Sequence, residues 1–422
     1  MRTLYSLLAY LLAPLYCAVL LSRGLRERGY WRGWGARFGF GARLPAGGIW
    51  IHAASVGEVQ AAVPLVRSLR RMDPEGAIAL TTATPAGAGR AQALLAAERV
   101  SVRFVPLDLP GAVRRFFARI APRLAIVLET ELWPNLYRQC ARRGVPVVLA
   151  SARLSARSAA RYARAGSLFR EVCGSIRAIG AQSAADAERF AALGARREAL
   201  HVIGNIKFDL EIPQAIQTLG EEWREREAPG RPVWVAGSTH AGEEEAALAA
   251  HALARRRSPA ALLVLAPRHP PRFAEVASLL EAAGVPFVRH SQGEHCRADT
   301  EVVLLDTLGE LLKFYAASDV VFVGGSLTPR GGHNLLEPAA LGRAILTGPD
   351  HSTSAEVARL LLQSGGVEIV TDAMALGLRL EALLADATLR ARMGEAARAV
   401  VERNRGALAR LTALVEPLAR RP

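Results

Sequence analysis

Cysteine is scarce in this sequence of 422 residues, and its few cysteines lie far apart. They are Cys17, Cys140, Cys173 and Cys296. No CxxC pair occurs, which argues against a disulfide framework and against a zinc cluster. His290, His295 and Cys296 are close together in HSQGEHC, but this run lacks the spacing of a tetrahedral site and has no second cluster to complete it. We therefore expect no metal, and a reducing compartment for the globular part.

Two common nucleotide-binding motifs are also missing. Neither GxxxxGK[ST] nor GxGxxG occurs, which argues against a P-loop ATPase and an ordinary dinucleotide-binding enzyme. Acidic residues number 39 against 53 basic ones, which gives a net charge of +14. Such an excess suits a polyanion, an anionic membrane surface or a phosphorylated substrate. Because no nucleic-acid recognition module is present, we expect no nucleic-acid partner.

Charge is absent from residues 3–22, TLYSLLAYLLAPLYCAVLLS. A helix of this length rises about 30 Å, enough to span the bilayer hydrocarbon, so residues 1–28 are predicted to be a membrane anchor. A cleaved signal peptide is disfavoured because the run exceeds the usual 7 to 15 apolar residues and no A-x-A site follows. A buried or membrane-resting helix remains an alternative, because Pro14 and three tyrosines make the run less typical of a membrane-spanning helix.

Basic and aromatic residues follow the apolar run directly. The arginines are Arg23, Arg26, Arg28, Arg32 and Arg37, and the aromatic residues between them are Tyr30, Trp31, Trp34 and Phe38. The positive-inside bias places the large carboxyl-terminal part in the cytoplasm. The aromatic residues are predicted to form an interfacial belt at the lipid surface.

Short apolar runs alternate with helical patterns after residue 45, which predicts parallel sheets covered by helices on both faces. The predicted strands are 48–54, 77–82, 102–107, 124–129, 145–150, 178–182 and 201–204, then 232–238, 261–267, 302–306, 320–325, 344–348 and 366–370. Residues 206–230 are polar and are predicted to link two Rossmann-like domains, 29–205 and 231–422, with a cleft between them. The carboxyl-terminal helical run could bridge back to the first domain.

Ligands in such sheets bind at the carboxyl ends of strands, where the second domain has three polar loops. These are GSTHAGEEE, LAPRHPPRF and the glycine-rich run after VVFVGG, which includes His333. In the last loop, Asn334 and Glu337 have capping-box spacing. Alternatively, the helix amino terminus binds a phosphate and Glu337 accepts hydrogen bonds from a ribose. Glycine pairs on both sides of the turn favour the close approach of a ligand.

The first domain has its own candidates. Glu58, in SVGE, either complements a helix dipole or acts as a general base that faces the cleft. In LETELWPN, Glu129 ends a strand, and Glu131 would point to the opposite side if the strand continued. Lys207 either meets a carboxylate or phosphate in the cleft or is simply solvated. A further row, Arg153, Arg157, Arg161 and Arg164, is predicted to line one face of a helix, as a solvated face or one that receives lipid phosphates.

Six motifs in order carry a resemblance to a known family. SVGE, LETELWPN, ARLSARS, GSTHAGEEE, PRHPPRF and FVGGSLTPRGGHNLLE together resemble the 3-deoxy-D-manno-octulosonic acid (Kdo) transferases of lipid A assembly. The resemblance extends over nearly the whole chain and implies a GT-B-type α/β glycosyltransferase without a separate cofactor. It implies inverting transfer of Kdo from CMP-Kdo to the lipid A precursor lipid IVA, in lipopolysaccharide biosynthesis. It also implies a single-pass protein of the bacterial inner membrane, with its catalytic domains on the cytoplasmic face.

The same resemblance implies roles for individual residues. Glu58 would be the proton acceptor, and Glu129 and Lys207 would stabilise the transition state. The CMP contacts would be Pro267, Arg268, Leu308, Gly309, Glu310, Asn334, Leu335, Leu336 and Glu337. The sequence departs from the family pattern at HAAS before VGE and at Gly237, neither of which is a catalytic position.

Two other functions stay open at this point. A membrane-bound GT-B transferase that uses a UDP-sugar and a lipid acceptor would have the same fold and anchor. A non-catalytic nucleotide-binding membrane protein would keep the second-domain site without needing Glu58.

Overall fold

A computed structural model describes residues 1–25 and 27–420. The chain forms two compact units. Unit 1 contains Met1–Lys207 and the carboxyl-terminal segment from Arg405 onward, and unit 2 is Phe208–Asn404.

Unit 1 is built on a seven-stranded sheet whose strands are all parallel, in the order β3-β2-β1-β4-β5-β6-β7. The strands are β1 (Gly48–His52), β2 (Ile78–Thr82), β3 (Val100–Phe104), β4 (Pro122–Leu128), β5 (Val147–Ala152), β6 (Ala178–Ala181) and β7 (Leu200–Val202). The central strands read as continuous apolar runs because both faces of a parallel sheet are covered by helices.

The helices of unit 1 before residue 207 are α1 (Arg2–Gly24), α2 (Trp34–Arg37), α3 (Val56–Met72), α4 (Pro85–Leu94), α5 (Pro110–Ile120), α6 (Pro134–Arg142), α7 (Ala156–Arg164), α8 (Ser167–Gly174) and α9 (Ala184–Ala192). Local sequence explains where many of them begin. Ser55, Thr84, Ser155 and Ser183 each cap a helix by accepting an amide hydrogen bond from its first turn. Proline occupies the first position of α4, α5 and α6, where its missing N–H costs nothing.

Unit 2 contains a second parallel sheet of seven strands, in the order β10-β11-β9-β8-β12-β13-β14. The strands are β8 (Val233–Thr239), β9 (Leu262–Pro267), β10 (Phe287–Arg289), β11 (Val302–Leu304), β12 (Val320–Val323), β13 (Ala344–Thr347) and β14 (Val367–Ile369). The helices are α10 (Gln214–Glu227), α11 (Glu243–Arg255), α12 (Pro271–Ala282), α13 (Leu311–Ala317), α14 (Leu336–Ala340), α15 (Ala355–Ser364), α16 (Ala373–Ala385) and α17 (Ala387–Asn404). A last helix, α18 (Ala407–Ala419), belongs to unit 1.

Each sheet has a separate apolar core on each face, because successive side chains of a strand point to opposite sides. In unit 1, Ile49 and Ile51 of β1 contribute to one core and Trp50 contributes to the other. In unit 2, Val233 and Val235 of β8 contribute to one core and Trp234 contributes to the other. Burial of these cores is the main driving force that holds each unit together.

The predicted α/β fold with two parallel sheets is confirmed, and every predicted strand is present. Strand ends differ by a few residues. Strand β10 is an addition, because PFVRH is too short and too polar at its end to be recognised as a strand.

The domain boundaries need two corrections. Residues 206–230 do not form a polar linker, since they contain α10, whose Trp223 packs edge-on against Phe314 at 4.9 Å in the core of unit 2. Residues 405–420 do not belong to the second domain, in agreement with the expectation that the carboxyl-terminal run could bridge back to the first. Ala407, Leu411 and Val415, four residues apart along α18, are buried in the core of unit 1.

Helix α1 is long and apolar enough to cross a membrane, with 6% of its most apolar window buried. Its polar side chains, however, hydrogen-bond to unit 1. Tyr5 donates to Asp108 at 2.8 Å, Ser6 donates to Asn135 at 2.9 Å, and the Tyr10 hydroxyl accepts from the backbone of the α5 amino terminus at 3.1 Å. The first half of α1 is therefore docked, which fits the membrane-resting alternative better than a free spanning helix.

The predicted interfacial belt is wrong in part. Tyr30 and Arg37 are buried, and Arg37 lies over the ring of Phe104 at 4.2 Å. Trp31 is exposed and donates to the Leu21 carbonyl at the end of α1. Arg26 lies outside the described residues. Burial of Tyr30 therefore removes it from the predicted belt.

Candidate active site

The first group of polar residues lies where the strand order of unit 1 reverses. Strands β2 and β3 lie on one side of β1 in the sheet, and β4 to β7 lie on the other side. The carboxyl ends of β1 and β4 therefore flank the crevice in which open α/β sheets bind ligands. Glu58 lies in the first turn of α3, which follows β1, and Glu129 directly follows β4.

Glu58 is nearly buried, with 8% exposure. Its carboxylate accepts hydrogen bonds from the Ala54 amide at 2.8 Å and the Ser55 hydroxyl at 2.9 Å, so Glu58 has a structural role at the start of α3, whether or not it also acts as a base. Burial, followed by the charge of Glu129, raises the pKa of Glu58, against opposing effects of those hydrogen bonds and of Lys207. A carboxylate with a raised pKa binds a proton more readily than an ordinary glutamate, as a general base must.

Glu129 and Lys207 form an ion pair, with 2.6 Å between Oε1 and Nζ. Glu129 has a left-handed backbone with φ of 54°, which interrupts the extended conformation where β4 ends. Lys207 is held by its neighbours, because its amide donates to Asn205 at 3.0 Å and the preceding amide donates to Ser151 at 3.3 Å. Ser151 has a left-handed backbone as well, with φ of 53°. Such strain in non-glycine residues is concentrated at functional sites.

Glu131 is a third carboxylate of this group and was not predicted as a site residue. The sequence-based expectation for it depended on a continuing strand, but β4 ends at Leu128. Burial, and then the charges of Glu58 and Glu129, raise the pKa of Glu131 to about 7. Three carboxylates and one ammonium thus share this end of unit 1, an arrangement that favours retention of a proton.

The arginine row is only partly helical. Helix α7 begins at Ala156, so Arg157, Arg161 and Arg164 belong to it and Arg153 precedes it. All four arginines are exposed. The Arg153 carbonyl instead fixes the loop after β4 by accepting a hydrogen bond from the Thr130 hydroxyl.

A second polar group lies at the corresponding position of unit 2, where β8 and β12 flank the reversal of strand order. His240 follows β8, His269 follows β9, and His333 lies in the loop after β12. His240 Nε2 and His333 Nε2 are 2.9 Å apart, and their rings are nearly parallel, with an interplanar angle of 13°. The His269 ring lies edge-on to His240 with centroids 5.4 Å apart. This cluster appeared in the sequence only as three separate loops.

Each of these imidazoles disfavours its charged form. Burial, then the charges of Arg268 and the other two histidines, lowers the pKa of His333 to about 4. Burial also lowers the pKa of His240 and of His269, and Arg268 and Arg330 contribute to both shifts. The three imidazoles are therefore uncharged near neutral pH, and the guanidinium groups of Arg268 and Arg330 lie near them.

The residues implied to contact CMP occupy three loops of unit 2. Pro267 ends β9, and the Arg268 amide donates to Thr239 at 2.9 Å. Leu308 is exposed, and Gly309 has a left-handed φ of 90°. Glu310 carries three hydrogen bonds, from His290 at 3.2 Å, Lys313 at 3.0 Å and Thr307 at 2.5 Å.

Those hydrogen bonds decide the charge of Glu310. Burial alone would raise its pKa, but the bonds from Thr307, Lys313 and His290 outweigh burial and lower the pKa to about 2. His290 is thus hydrogen-bonded to Glu310, and His295 is hydrogen-bonded to Glu227 at 2.8 Å. Within residues 1–25 and 27–420, no group of three or more His, Cys, Asp or Glu side chains is arranged to hold a metal.

The Asn334–Glu337 segment supports the capping interpretation in part. Asn334 Oδ1 accepts from the Leu336 amide at 3.0 Å, where α14 begins. Asn334 is exposed, Leu335 and Leu336 are buried, and Glu337 is half-buried. Cap and ligand roles remain compatible, because Asn334 has further hydrogen-bonding capacity.

The glycine pairs have an explanation within the protein itself. A Cβ on Gly325 would lie 2.7 Å from the His333 ring, and one on Gly332 would lie 2.8 Å from the Asp350 carbonyl. Both residues also have φ of 70°. Packing of the loop therefore already requires glycine at these positions, so the pairs do not by themselves indicate a ligand.

Glu243 fixes this loop and was not predicted from the sequence. It is fully buried, and its carboxylate accepts from the amides of Gly325, Ser326 and Leu327 and from that of His240, at 2.7 to 3.1 Å. One buried carboxylate thereby joins the loop after β8 to the loop after β12. The acidic run GEEE was a visible signal, but its meaning depends on contacts with residues more than eighty positions away.

Comparisons with known proteins agree with this architecture. A family model described as 3-deoxy-D-manno-octulosonic-acid transferase (kdotransferase) matches residues 32–210. The chain is 41% identical to the 3-deoxy-D-manno-octulosonic acid transferase of Haemophilus influenzae, over 99% of this chain and 98% of that protein. It is 39% identical to the protein of the same name from Bordetella pertussis, over 97% of each.

Solved structures with low sequence identity are similar in fold. A glycosyltransferase from Rickettsia africae superposes with a TM-score of 0.56 at 11% identity, over 90% of this chain and 100% of that one. The UDP-N-acetylglucosamine 2-epimerase homologue of Listeria monocytogenes gives a TM-score of 0.53 at 14% identity, over 88% and 98%. At these identities the likeness concerns the fold alone, which is the GT-B-like pairing of two α/β units.

Proposed function

This chain belongs to the 3-deoxy-D-manno-octulosonic acid (Kdo) transferase family, and from that premise we propose that it transfers Kdo from CMP-Kdo to lipid IVA with inversion at the anomeric carbon. Kdo transfer, and hence glycosyltransferase activity, follows from the family. The donor, the acceptor and the stereochemistry are the proposal. One observation carries it above all: a nearly buried Glu58 with a raised pKa lies in one group with the Glu129–Lys207 ion pair.

The proposal assigns acceptor activation to unit 1. Glu58 takes the proton of the acceptor hydroxyl while the hydroxyl oxygen bonds to the anomeric carbon of Kdo, a contribution of about 10²- to 10⁴-fold to the rate. Lys207 compensates negative charge that develops during the reaction, and Glu129 holds the Lys207 ammonium at 2.6 Å. A side chain on Gly57, beside Glu58 in α3, would meet no atom within 4 Å, so the first turn has open space next to it.

The proposal assigns the donor to unit 2. The bond between the anomeric carbon and the phosphate oxygen breaks, and CMP leaves with the electron pair. Arg268 offers a guanidinium to that phosphate, and Asn334 and Glu337 offer polar side chains to the nucleoside, as the family resemblance implies. Attack and departure on opposite sides of one carbon, in a single displacement, invert its configuration.

Membrane attachment is assigned to α1. Its exposed face is rich in leucine, with Leu7, Leu11 and Leu15 more than 60% exposed. We place the enzyme at the cytoplasmic face of the bacterial inner membrane, where an acceptor with acyl chains resides. A single-pass topology would require loss of the Tyr5 and Ser6 hydrogen bonds to unit 1, so an in-plane helix agrees better with the docked contacts.

Topology is tested by a Thr3→Cys variant in right-side-out vesicles, after replacement of the native cysteines. Labelling by a membrane-impermeant maleimide from outside would demonstrate a single-pass helix. Protection from outside with labelling after lysis would support the in-plane arrangement. An exposed position in the cytoplasmic part, such as Arg161→Cys, serves as the control that must react only after lysis.

The activity is tested with the purified chain, CMP-Kdo and lipid IVA in detergent. Mass spectrometry of the lipid product should show added Kdo and also counts the residues transferred, and NMR of the new linkage reports the anomeric configuration. Replacement of CMP-Kdo by UDP-sugars should give no product. Transfer from a UDP-sugar, or retention of the donor configuration, would refute the corresponding part of the proposal.

A further inference from the structure

The two Nε2 atoms of His240 and His333 are joined by a hydrogen bond. A neutral imidazole has one nitrogen that donates and one that accepts. At 2.9 Å between the two Nε2 atoms, one ring must therefore donate its Nε2–H to the bare Nε2 of the other. The two Nδ1 atoms are then unlike: the accepting ring has an N–H there, and the donating ring has a lone pair.

We propose that the hydrogen-bonded pair His240–His333 binds the anionic group of the sugar-nucleotide donor and takes up one proton from solvent when that group arrives. This inference rests on the proposed function of unit 2 as the donor site. It adds two residues to the donor site and a change in protonation to the binding step.

The added proton has a defined position. It binds to the bare Nδ1 of the donating ring, which converts a lone pair into an N–H and turns the pair into a charged imidazolium–imidazole unit. Among residues 1–25 and 27–420, neither Nδ1 has a hydrogen-bond partner. The protonated pair would present two N–H groups and a positive charge, whereas the neutral pair presents one N–H and one lone pair that would repel an anion.

Burial, and after it the positive charges around the pair, lower the pKa of both imidazoles and favour the neutral pair before binding. Arg268 comes from the loop after β9, together with His269, and Arg330 comes from the loop after β12. Glu243 of α11 is the acidic group that faces His240, and its charge is shared among four backbone amides. Two guanidinium groups oppose a third positive charge. An anion placed among them removes that opposition and favours the protonated pair.

The chemistry of the donor matches this arrangement. A cytidylate-activated sugar acid has a phosphodiester and a carboxylate, and thus two negative charges. Arg268 and Asn334, which the family resemblance assigns to CMP, are direct chain neighbours of His269 and His333. A charge-assisted N–H next to the departing phosphate would also stabilise the leaving group.

Proton uptake is measured by isothermal titration calorimetry of the full chain in buffers with different ionisation enthalpies, at pH 7.5. The dependence of the observed enthalpy on the buffer gives the number of protons bound. We expect CMP to bind with a measurable net uptake that does not exceed one proton, because one imidazole pair changes by one protonation step. Cytidine, which has no phosphate, should bind without uptake. Free Kdo tests whether the carboxylate alone produces it.

Variants separate the pair from other proton acceptors. His333→Gln and His240→Gln should each abolish uptake and weaken CMP binding about tenfold, the loss of roughly one charge-assisted hydrogen bond. Circular dichroism and thermal melting check that each variant is folded. Two variants are used so that misfolding of one of them cannot be mistaken for loss of proton uptake. His295→Gln is the matched control, since His295 is 75% exposed and bonds to Glu227, and it should behave as wild type.

The outcomes are distinct. CMP binding with unchanged uptake in both folded variants would place the proton on the phosphate itself or elsewhere and would overturn the inference. Binding of both CMP and CMP-Kdo without uptake in the wild type would overturn it while leaving the proposed Kdo transfer intact. Failure to bind either CMP or CMP-Kdo would overturn both the inference and the donor assignment. Uptake with CMP-Kdo alone would support the pair as the site of the carboxylate.

Discussion

Replacement of Glu58 by glutamine is the most direct test of the catalytic assignment. Glu58→Gln keeps the shape of the side chain and removes its ability to take a proton. The general-base contribution is about 10²- to 10⁴-fold, so kcat should fall by that factor. CMP affinity should not change, because the proposal places the nucleotide in unit 2.

The structural effect of this substitution should be small. The glutamine oxygen can accept from either the Ala54 amide or the Ser55 hydroxyl, so one charge-assisted hydrogen bond is lost, worth about 1.5 to 3 kcal/mol. Removal of the charge also ends the repulsion by Glu129 and the burial cost that together raise the pKa of Glu58. These effects oppose one another, and we expect a net change of about 1 kcal/mol, or a few degrees in Tm.

A carboxylate in unit 2 provides the matched control. Glu227 is 8% exposed, the same as Glu58, and also accepts a backbone amide bond, from Cys296 at 2.9 Å. Glu227→Gln therefore imposes a similar structural change away from the proposed chemistry, and its kcat should stay within about twofold of wild type. Single-turnover measurements of Kdo transfer compare the two variants. A Glu58→Gln enzyme with kcat within tenfold of wild type would refute the role of Glu58 as the base.

Three further predictions concern the neighbouring charges. Because Lys207 lowers the pKa of Glu58, Lys207→Met should move the acidic limb of the kcat/KM profile to higher pH, and a shift to lower pH would contradict the coupling. Because folding raises the pKa of Glu131 to about 7, the stability of the folded chain should fall between about pH 4.5 and 7 and stay reduced above pH 7. Glu131→Gln should therefore raise Tm at pH 8 and leave it nearly unchanged at pH 4.5. Equal effects on Tm at both pH values would contradict the raised pKa. The Glu243→Gln side chain cannot satisfy all four amides, so the substitution should cost about 3 kcal/mol or more in denaturant unfolding and weaken CMP binding. An unfolding curve like that of wild type would show that Glu243 does not hold the two loops together.

Much of the fold is readable from local sequence patterns. Apolar runs bounded by turn residues predicted the strands, because strand formation in a buried parallel sheet needs continuous apolar sequence. Glu58 was expected at the start of a helix, and α3 begins two residues before it with hydrogen bonds between Ser55 and Glu58. The long uncharged run predicted α1. The family resemblance, carried by motifs rather than by physical reasoning, supplied the roles of Glu58, Glu129 and Lys207.

The other features depend on contacts between distant parts of the chain. Glu129 and Lys207 are 78 positions apart, and His240 and His333 are 93 apart, so no window of sequence contains either pair. Their charges and protonation are set by neighbours that only the folded sheet brings together.

The sequence by itself determined the strands and helices, the apolar amino-terminal helix and the family, because each is encoded in residues close together along the chain. Only the tertiary structure decided that Trp223 of α10 packs in the core of unit 2, that Tyr30 and Arg37 are buried, and that Glu131 joins the carboxylate group. The reason is physical: hydrophobic burial depends on area removed from water and does not specify which apolar surface covers another, and a pKa depends on the charges and solvent that surround the group in space.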